Sequence, residues 1–234
     1  MAFYDNFIKS EYAETTKIGR FALEKINTNL INQIKKIKNN SIKLLEIGPG
    51  KGFFAETCFK NKINYTAIEA NTLMATILTK KGFRVYNYLV PPIKIREKFD
   101  VIFMNQVFEH IINRTEAMKL IKNCNEHLNR TGLLIICSPD YLSWKEDFFA
   151  SDYTHNNPTS SRNIQQILQD NDFKILYTEL ICSIAQGFII TKLVTAFVRF
   201  TYNLGLFNII FGGKAYKIKT SLLPSILVIG EKNE

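Results

Sequence analysis

Three groups of residues in this 234-residue chain have types and spacings that could do chemistry. The first is Gly48-Pro49-Gly50-Lys51-Gly52, directly behind the apolar run Leu44-Leu45-Glu46-Ile47. A strand that runs into closely spaced glycines and then into a helix lets backbone approach a ligand and aims helix N–H groups at it. The second group is a pair of carboxylates around that loop. Glu69 closes the next apolar run, 17 residues past Gly52, where a carboxylate can accept from both hydroxyls of a ribose. Glu46 stands just before the glycines, where it opposes a pyrophosphate and suits a cation. The third group is the three histidines, His110, His127 and His155. Imidazole is the side chain best matched to moving a proton near neutral pH.

The elements that must position these groups follow from periodicity. Residues 1–40 carry Phe21, Leu23, Ile26, Leu30, Ile31, Ile34 and Ile37 at three- and four-residue steps, which predicts one or two helices capping a main domain over 41–234. Short apolar runs predict strands at 42–47, 65–69, 83–86, 99–104 and 133–137, the last after a Thr131-Gly132 turn. Helices are expected over 53–61, over 71–81 with Gly82 as the stop, and over 115–128. Strand and helix alternating at this spacing imply an α/β fold, a parallel sheet with helices on both faces. A polar, aromatic loop over 143–158 holds Trp144, the only tryptophan, and a helix capped by Ser160 or Ser161 follows. Strands at 173–179 and 225–230 flank a long apolar stretch.

Two nucleoside ligands compete for the glycine loop. A dinucleotide favours G-x-G-x-x-G, whereas Phe53 follows Gly52 here. S-adenosylmethionine carries an ammonium and a sulfonium and no phosphate, so Glu46 favours it over NAD. Residues 44–54 resemble motif I of the class I S-adenosylmethionine-dependent methyltransferases, and 65–70 resemble their motif II. Residues 99–111 resemble motif IV of the subgroup with a Glu-His after strand four, here Glu109-His110. Residues 128–135 resemble the turn before strand five, with Arg130 and Thr131 where the family has Pro and Gly. The resemblance covers roughly 40–180 in the correct order. It implies a Rossmann-like, doubly wound sheet of seven strands, mostly parallel with an antiparallel last strand, and makes 181–222 an apolar helical insertion before that strand. It also implies cofactor roles. Glu46 lies under the methionine amino group, and Gly48, Pro49, Gly50 and Gly52 line its backbone. Glu69 holds the ribose and Ala70 touches the adenine edge. Asn87 or Tyr88 meets the adenine amine, in a loop without the family's usual aspartate, and Asn105 and Gln106 close the site.

The methyl acceptor is narrowed by what is missing. The Asn/Asp-Pro-Pro-Tyr/Phe signature of amine methylation is replaced by Asn105-Gln106-Val107-Phe108, and no cysteine is placed like a cytosine C5 nucleophile. A hydroxyl acceptor needs a base to take its proton as the carbon–oxygen bond forms. His155 is the first choice, with Asp152 as its orienter, because Asp152-Tyr153-Thr154-His155-Asn156-Asn157-Pro158 resembles a loop of methyltransferases encoded with polysaccharide assembly enzymes. His110 is either a base or a brace for the following helix start, with Glu109 as partner. His127 reads as a solvated helix residue.

The remaining expectations come from composition. Thirty basic against twenty-one acidic residues give +9, but they are dispersed, with no aromatic-interleaved basic stripe, so no nucleic-acid partner is expected. Cys58, Cys124, Cys137 and Cys182 form no CxxC pair, so neither a disulfide framework nor a metal site is expected, and a cytoplasmic location is. Residues 1–9 contain no apolar stretch of the kind a secretory signal needs. The stretch 180–211 holds only Lys192 and Arg199 as charges. On a helix, Thr191, Lys192, Thr195, Arg199, Tyr202 and Asn203 share one side, and Ile189, Ile190, Leu193, Val194, Phe197, Phe200 and Leu204 dominate the rest. The pattern suits peripheral contact with the inner face of the cytoplasmic membrane through 188–219. A homodimer interface and packing on the chain's own sheet are the alternatives. The acceptor is then a soluble or lipid-linked glycan hydroxyl, or else a quinone or other lipid.

Overall fold

A computed structural model describes residues 17–38 and 41–234. The expectation of helix at 1–16 lies outside the described residues. The chain runs α1 (Lys17–Ile37), β1 (Lys43–Ile47), α2 (Phe53–Lys60), β2 (Asn64–Glu69), α3 (Thr72–Lys80), β3 (Val85–Asn87), β4 (Phe99–Asn105), α4 (Arg114–His127) and β5 (Leu128–Pro139). It continues with α5 (Tyr141–Trp144), α6 (Asp147–Ser151), α7 (Ser161–Gln169), β6 (Phe173–Ile181), α8 (Phe188–Asn203), α9 (Leu206–Phe211), α10 (Ala215–Leu222) and β7 (Ser225–Lys232). The strands form one sheet in the order β3-β2-β1-β4-β5-β7-β6. β7 alone runs antiparallel, pairing Ile135 with Ile229 on one side and Tyr177 with Ile229 on the other.

Alternation along β1 shows how the layers form. Leu45 and Ile47 point to the face with Ile102, Met104, Leu134 and Ile136, closed by Leu120 and Ile121 of α4 and Ile164 and Leu168 of α7. Leu44 points to the other face with Val101, Phe103 and Ile135, closed by Leu30, Ile31 and Ile34 of α1 and Phe54 and Cys58 of α2. Glu46 shares that second face and is buried there. Helix starts are set by side-chain caps. Asn71 accepts from Met74 N–H, Asn113 accepts from Glu116 N–H, and Ser160 forms a capping box with Asn163.

The start of β5 and the 143–158 loop differ from the sequence expectation. β5 begins at Leu128 rather than 133, because Leu128 pairs with Phe99 before the ladder slips and resumes at Val101–Leu133. Thr131, with φ 56°, is the kink inside the strand and not a turn ahead of it. The 143–158 loop contains two single-turn helices, pinned where Trp144 Nε1 donates to the Pro224 carbonyl at 2.8 Å.

β1 and β4 are neighbours although β2, α3 and β3 come between them in sequence, so the chain reverses direction across the sheet there. Open α/β sheets bind ligands in the crevice beyond the strand C-termini at such a switch point.

Candidate active site

The glycine loop leaves β1 at that switch point. Gly48 N–H donates to the Ile68 carbonyl at 2.9 Å and Gly52 N–H to Pro49 at 2.9 Å, which folds the loop tightly against β2. Gly48 has φ +69°, and a Cβ there would meet Val107 Cγ2 at 2.5 Å, so only glycine fits. Gly50 is also left-handed, at φ +53°, but its missing Cβ faces open space, the cradle a ligand backbone would fill. Glu69, at the end of β2, turns its carboxylate onto this loop. Oε2 accepts from Gly50 N–H at 3.1 Å and Oε1 from Asn71 N–H at 2.8 Å. Burial raises its pKa, and these backbone donors pull the other way. Asn87 is spent on the same corner. Its Nδ2 donates to the Glu69 carbonyl at 2.7 Å and to Ala70 at 3.3 Å. Ala70 is exposed beside it.

Glu46 is more deeply placed than its expected role suggests. It is 2 % exposed and accepts from the Tyr65 hydroxyl at 2.5 Å on the α2 side of the sheet. Burial pushes its carboxyl up to about 8 despite the Tyr65 bond. Its charge state, and not only its position, therefore governs what it offers the loop.

The second half of the crevice is built after β4. Asn105, half-buried, is the last strand residue, and Gln106 follows at φ 55° with its N–H on the Cys137 carbonyl at 2.8 Å. Gln106 Nε2 donates to Ser225 Oγ at 2.9 Å. A single 3-10 turn, Phe108–His110, then places Glu109 inward and His110 at the crevice. Glu109 is fully buried. Its Oε2 accepts from Ser138 Oγ at 2.8 Å, while Oε1 has no hydrogen-bond partner and lies 4.0 Å from His110 Nε2. Burial pushes this carboxyl up to about 8, so it holds its proton at neutral pH.

The loop over 152–160 closes on this turn, with Asn156 and Asn157 N–H groups on the Glu109 carbonyl. Thr154 donates its hydroxyl to Asp152 Oδ1 at 2.6 Å and sits 2.8 Å from His110 Nδ1. With the Thr154 proton committed, His110 Nδ1 must be the donor, which leaves Nε2 as the basic atom. His155 Nδ1 donates to the Phe148 carbonyl at 2.5 Å, leaving its Nε2 basic as well. The two rings lie 4.8 Å apart, and His155 also packs 4.6 Å from Phe148. Asp152 thus orients His110 through Thr154, and His155 is oriented by a backbone carbonyl instead. This corrects the expected Asp152–His155 pairing. Nor does His110 brace the next helix start, since Asn113 caps α4. Burial and then the His155 ring hold His110 below the ordinary histidine value, with Asp152 opposing.

Glu109, His110 and His155 each offer a ligand-type atom within 4.8 Å of the others. The 4.0 Å between Glu109 Oε1 and His110 Nε2 is wider than the edge of about 3.4 Å around tetrahedral zinc with bonds near 2.1 Å. The spacing suits a hydroxyl or water shared between the groups.

The family described as a methyltransferase domain matches residues 18–178. The chain belongs to the class I S-adenosylmethionine-dependent methyltransferases. Similar solved structures include an S-adenosylmethionine-dependent methyltransferase from Clostridium acetobutylicum, at 14 % identity and TM-score 0.64 over 100 % of this chain and 98 % of that one. They also include one from Archaeoglobus fulgidus, at 17 % identity and TM-score 0.56 over 88 % and 94 %. A third is the N-methyltransferase NodS from Bradyrhizobium japonicum, at 14 % identity and TM-score 0.60 over 91 % and 97 %. At these identities they share the fold. No curated protein matches.

S-adenosylmethionine is the cofactor of this methyltransferase, and the crevice fits it. The open position over Gly50 admits its backbone, and Glu69 has acceptor capacity beyond its two backbone donors for a ribose. Among the other residues singled out from sequence, His127 is half-buried, with Nδ1 2.7 Å from the Asn123 carbonyl of its own helix. All four cysteines are free and buried. Thr154 and Phe148 are the positioning residues that sequence reading missed. The Asp-x-Thr spacing of 152–154, an Asx-turn pattern, was the available signal for Thr154.

Proposed function

We propose that this methyltransferase O-methylates a sugar hydroxyl of a surface polysaccharide or its lipid-linked precursor, with His110 as proton acceptor. The observation that carries this reading is the Asp152–Thr154–His110 chain, which fixes the His110 tautomer with Nε2 basic at the strand C-termini. The lowered pKa of His110 keeps that atom unprotonated at neutral pH. S-adenosylmethionine supplies, when bound, a methyl group activated by its sulfonium. The chain supplies the rest. His110 Nε2 takes the proton of the acceptor hydroxyl as that oxygen bonds to the methyl group the cofactor would supply, with S-adenosylhomocysteine as the leaving product. Buried, neutral Glu109 adds no charge that would raise the His110 pKa, so the base stays unprotonated at rest. His155 moves to second place as base, because it is 8 % exposed and enclosed by Phe148 and His110. The polar loop with exposed Tyr153 beside His110 offers a flat apolar face and hydrogen-bonding groups of the kind a sugar ring uses.

A quinone or other lipid acceptor is the second reading, favoured by the apolar surface of α8 and α9. Both are tested by methyl-labelled S-adenosylmethionine against oligosaccharides, lipid-linked oligosaccharides and quinols. His110→Ala should lower kcat about 10²–10⁴-fold, the usual worth of a positioned base, with cofactor affinity intact. Wild-type turnover by His110→Ala would remove His110 from the reaction. Activity should also survive EDTA; loss in EDTA with recovery on added zinc would reassign Glu109, His110 and His155 to a cation.

A further inference from the structure

The insertion between β6 and β7 closes a small core of Val198, Phe207 and Ala215, yet leaves much of its apolar surface outside. Along α8, Thr191, Thr195 and Thr201 are buried. Their hydroxyls are satisfied by the carbonyls of Leu180, Thr191 and Phe197. A second set of apolar residues faces outward: Ile189 is 78 % exposed, Leu193 66 %, Phe197 67 %, Phe200 64 %, and on α9 Ile209 80 % and Ile210 68 %. Helices of water-facing domains place such stripes the other way. A contiguous apolar surface of this size marks a contact with something other than water.

We propose that α8 and α9 dock the methyltransferase on an anionic lipid bilayer, lying in its interface. Charge selects the occupant. No Asp or Glu occurs between residues 180 and 222, a stretch that also carries Lys192, Lys214 and Lys217. Arg199 and Lys219, the other cations there, are held on Asp147. The insertion brings no carboxylate of its own, so pairing it with the insertion of a second copy would set lysines against lysines across a two-fold axis, whereas anionic headgroups answer them. Shape agrees. No single described helix is long and apolar enough to cross a membrane, and α8 meets the α9–α10 segment at 79°. A bend that sharp lets both helices lie in one plane along a surface, although together they have the length and composition of a broken span.

The docking face belongs to the same edge as the chemistry. The insertion leaves the sheet after Ile181 and returns at Ser225, which pairs with Pro139 where β5 ends. Arg199 donates to the Ser143 carbonyl at 2.8 Å and Lys219 to Asp147 at 2.8 Å, so α8 and α10 are bolted to the segment that carries Phe148 and holds His155. Docking therefore brings the crevice to acceptors carried by the bilayer. That last step rests on the proposed O-methylation; the docking does not.

The test is co-sedimentation of the full chain with vesicles of phosphatidylcholine alone or of equal parts phosphatidylcholine and phosphatidylglycerol. The chain should pellet with the anionic vesicles, less so at high salt. Phe197→Asp with Ile209→Asp should weaken this at least about tenfold, and Lys192→Glu with Lys214→Glu should weaken it on anionic vesicles. S-adenosylmethionine titration of every variant should match wild type, which separates lost docking from lost fold and from failure of the methyltransferase reading. Wild-type protein remaining in the supernatant with both vesicles would overturn the proposal. So would a dimer in light scattering that Phe197→Asp splits, since a second copy would then cover the face.

Discussion

Glu46 and Glu109 are carboxyls set where water does not reach them, and both are pushed up to about 8 by burial. In the unfolded chain each ionises near its ordinary value of 4.5, so between there and about 8 the folded protein holds more protons than the unfolded one. Stability must then fall as pH rises through that window. His110, with its lowered value, acts in the opposite sense below the ordinary histidine range. Thermal melts from pH 5.5 to 8 should show a declining Tm that levels above about 8, and Glu46→Gln should flatten the decline; an unchanged slope would mean that Glu46 ionises as readily folded as unfolded. The same residues set the pH dependence of the reaction. The rate should climb through a pKa below the ordinary 6.5 of histidine and be level at neutral pH. Asp152→Asn removes a charge that favours protonated His110, so its acidic limb should move to lower pH while KM for S-adenosylmethionine stays put. These couplings were only partly legible in sequence. Glu69 and the glycines announced themselves by spacing, but a partner three-dimensionally adjacent and 44 residues away, as Thr154 is to His110, leaves no periodic trace.

Elements were read well where one face is apolar and poorly where the signal is short or two-sided. β1, β2 and β4 are buried apolar runs bounded by polar residues, and their register follows from those runs. The start of β5 escaped because Asn129, Arg130 and Thr131 look like a turn, although the ladder includes Leu128. α8 shows a different limit. Its amphipathic pattern was visible, but periodicity gives the angle between faces and not which face meets the protein. Tertiary ion pairing decides that. Asp147, 4 % exposed, takes both Arg199 and Lys219. Asp147→Ala would leave two cations without that partner at a nearly dry site, and breaking such a pair costs about 3–5 kcal/mol. The expected result is a lower Tm and faster proteolysis within 188–222, with Arg199→Met and Lys219→Met added to Asp147→Ala recovering much of the loss. Gly48→Ala is the matching experiment on the other side of the crevice. The Cβ has no room against Val107 and φ is positive, so S-adenosylmethionine affinity and Tm should both drop.

At the scale of the whole molecule, one sheet edge gathers everything the function requires. Parallel strands order their C-termini along that edge, and the β1–β4 switch sets the glycine loop after β1 beside the Glu109-His110 turn after β4. The loop over 152–160 closes over the turn, and the insertion hangs from the strand ends beside it. The central claim is that this crevice binds S-adenosylmethionine through Glu69 and the glycine loop. Isothermal titration of wild type and Glu69→Ala with S-adenosylmethionine, and separately with NADH, tests it most directly. Saturable binding of S-adenosylmethionine alone, weakened at least about tenfold in Glu69→Ala, is the predicted result, since the loss of hydrogen bonds to a carboxylate is worth roughly 1.5–3 kcal/mol. Equal affinity in the variant, or binding of NADH in its place, would contradict it.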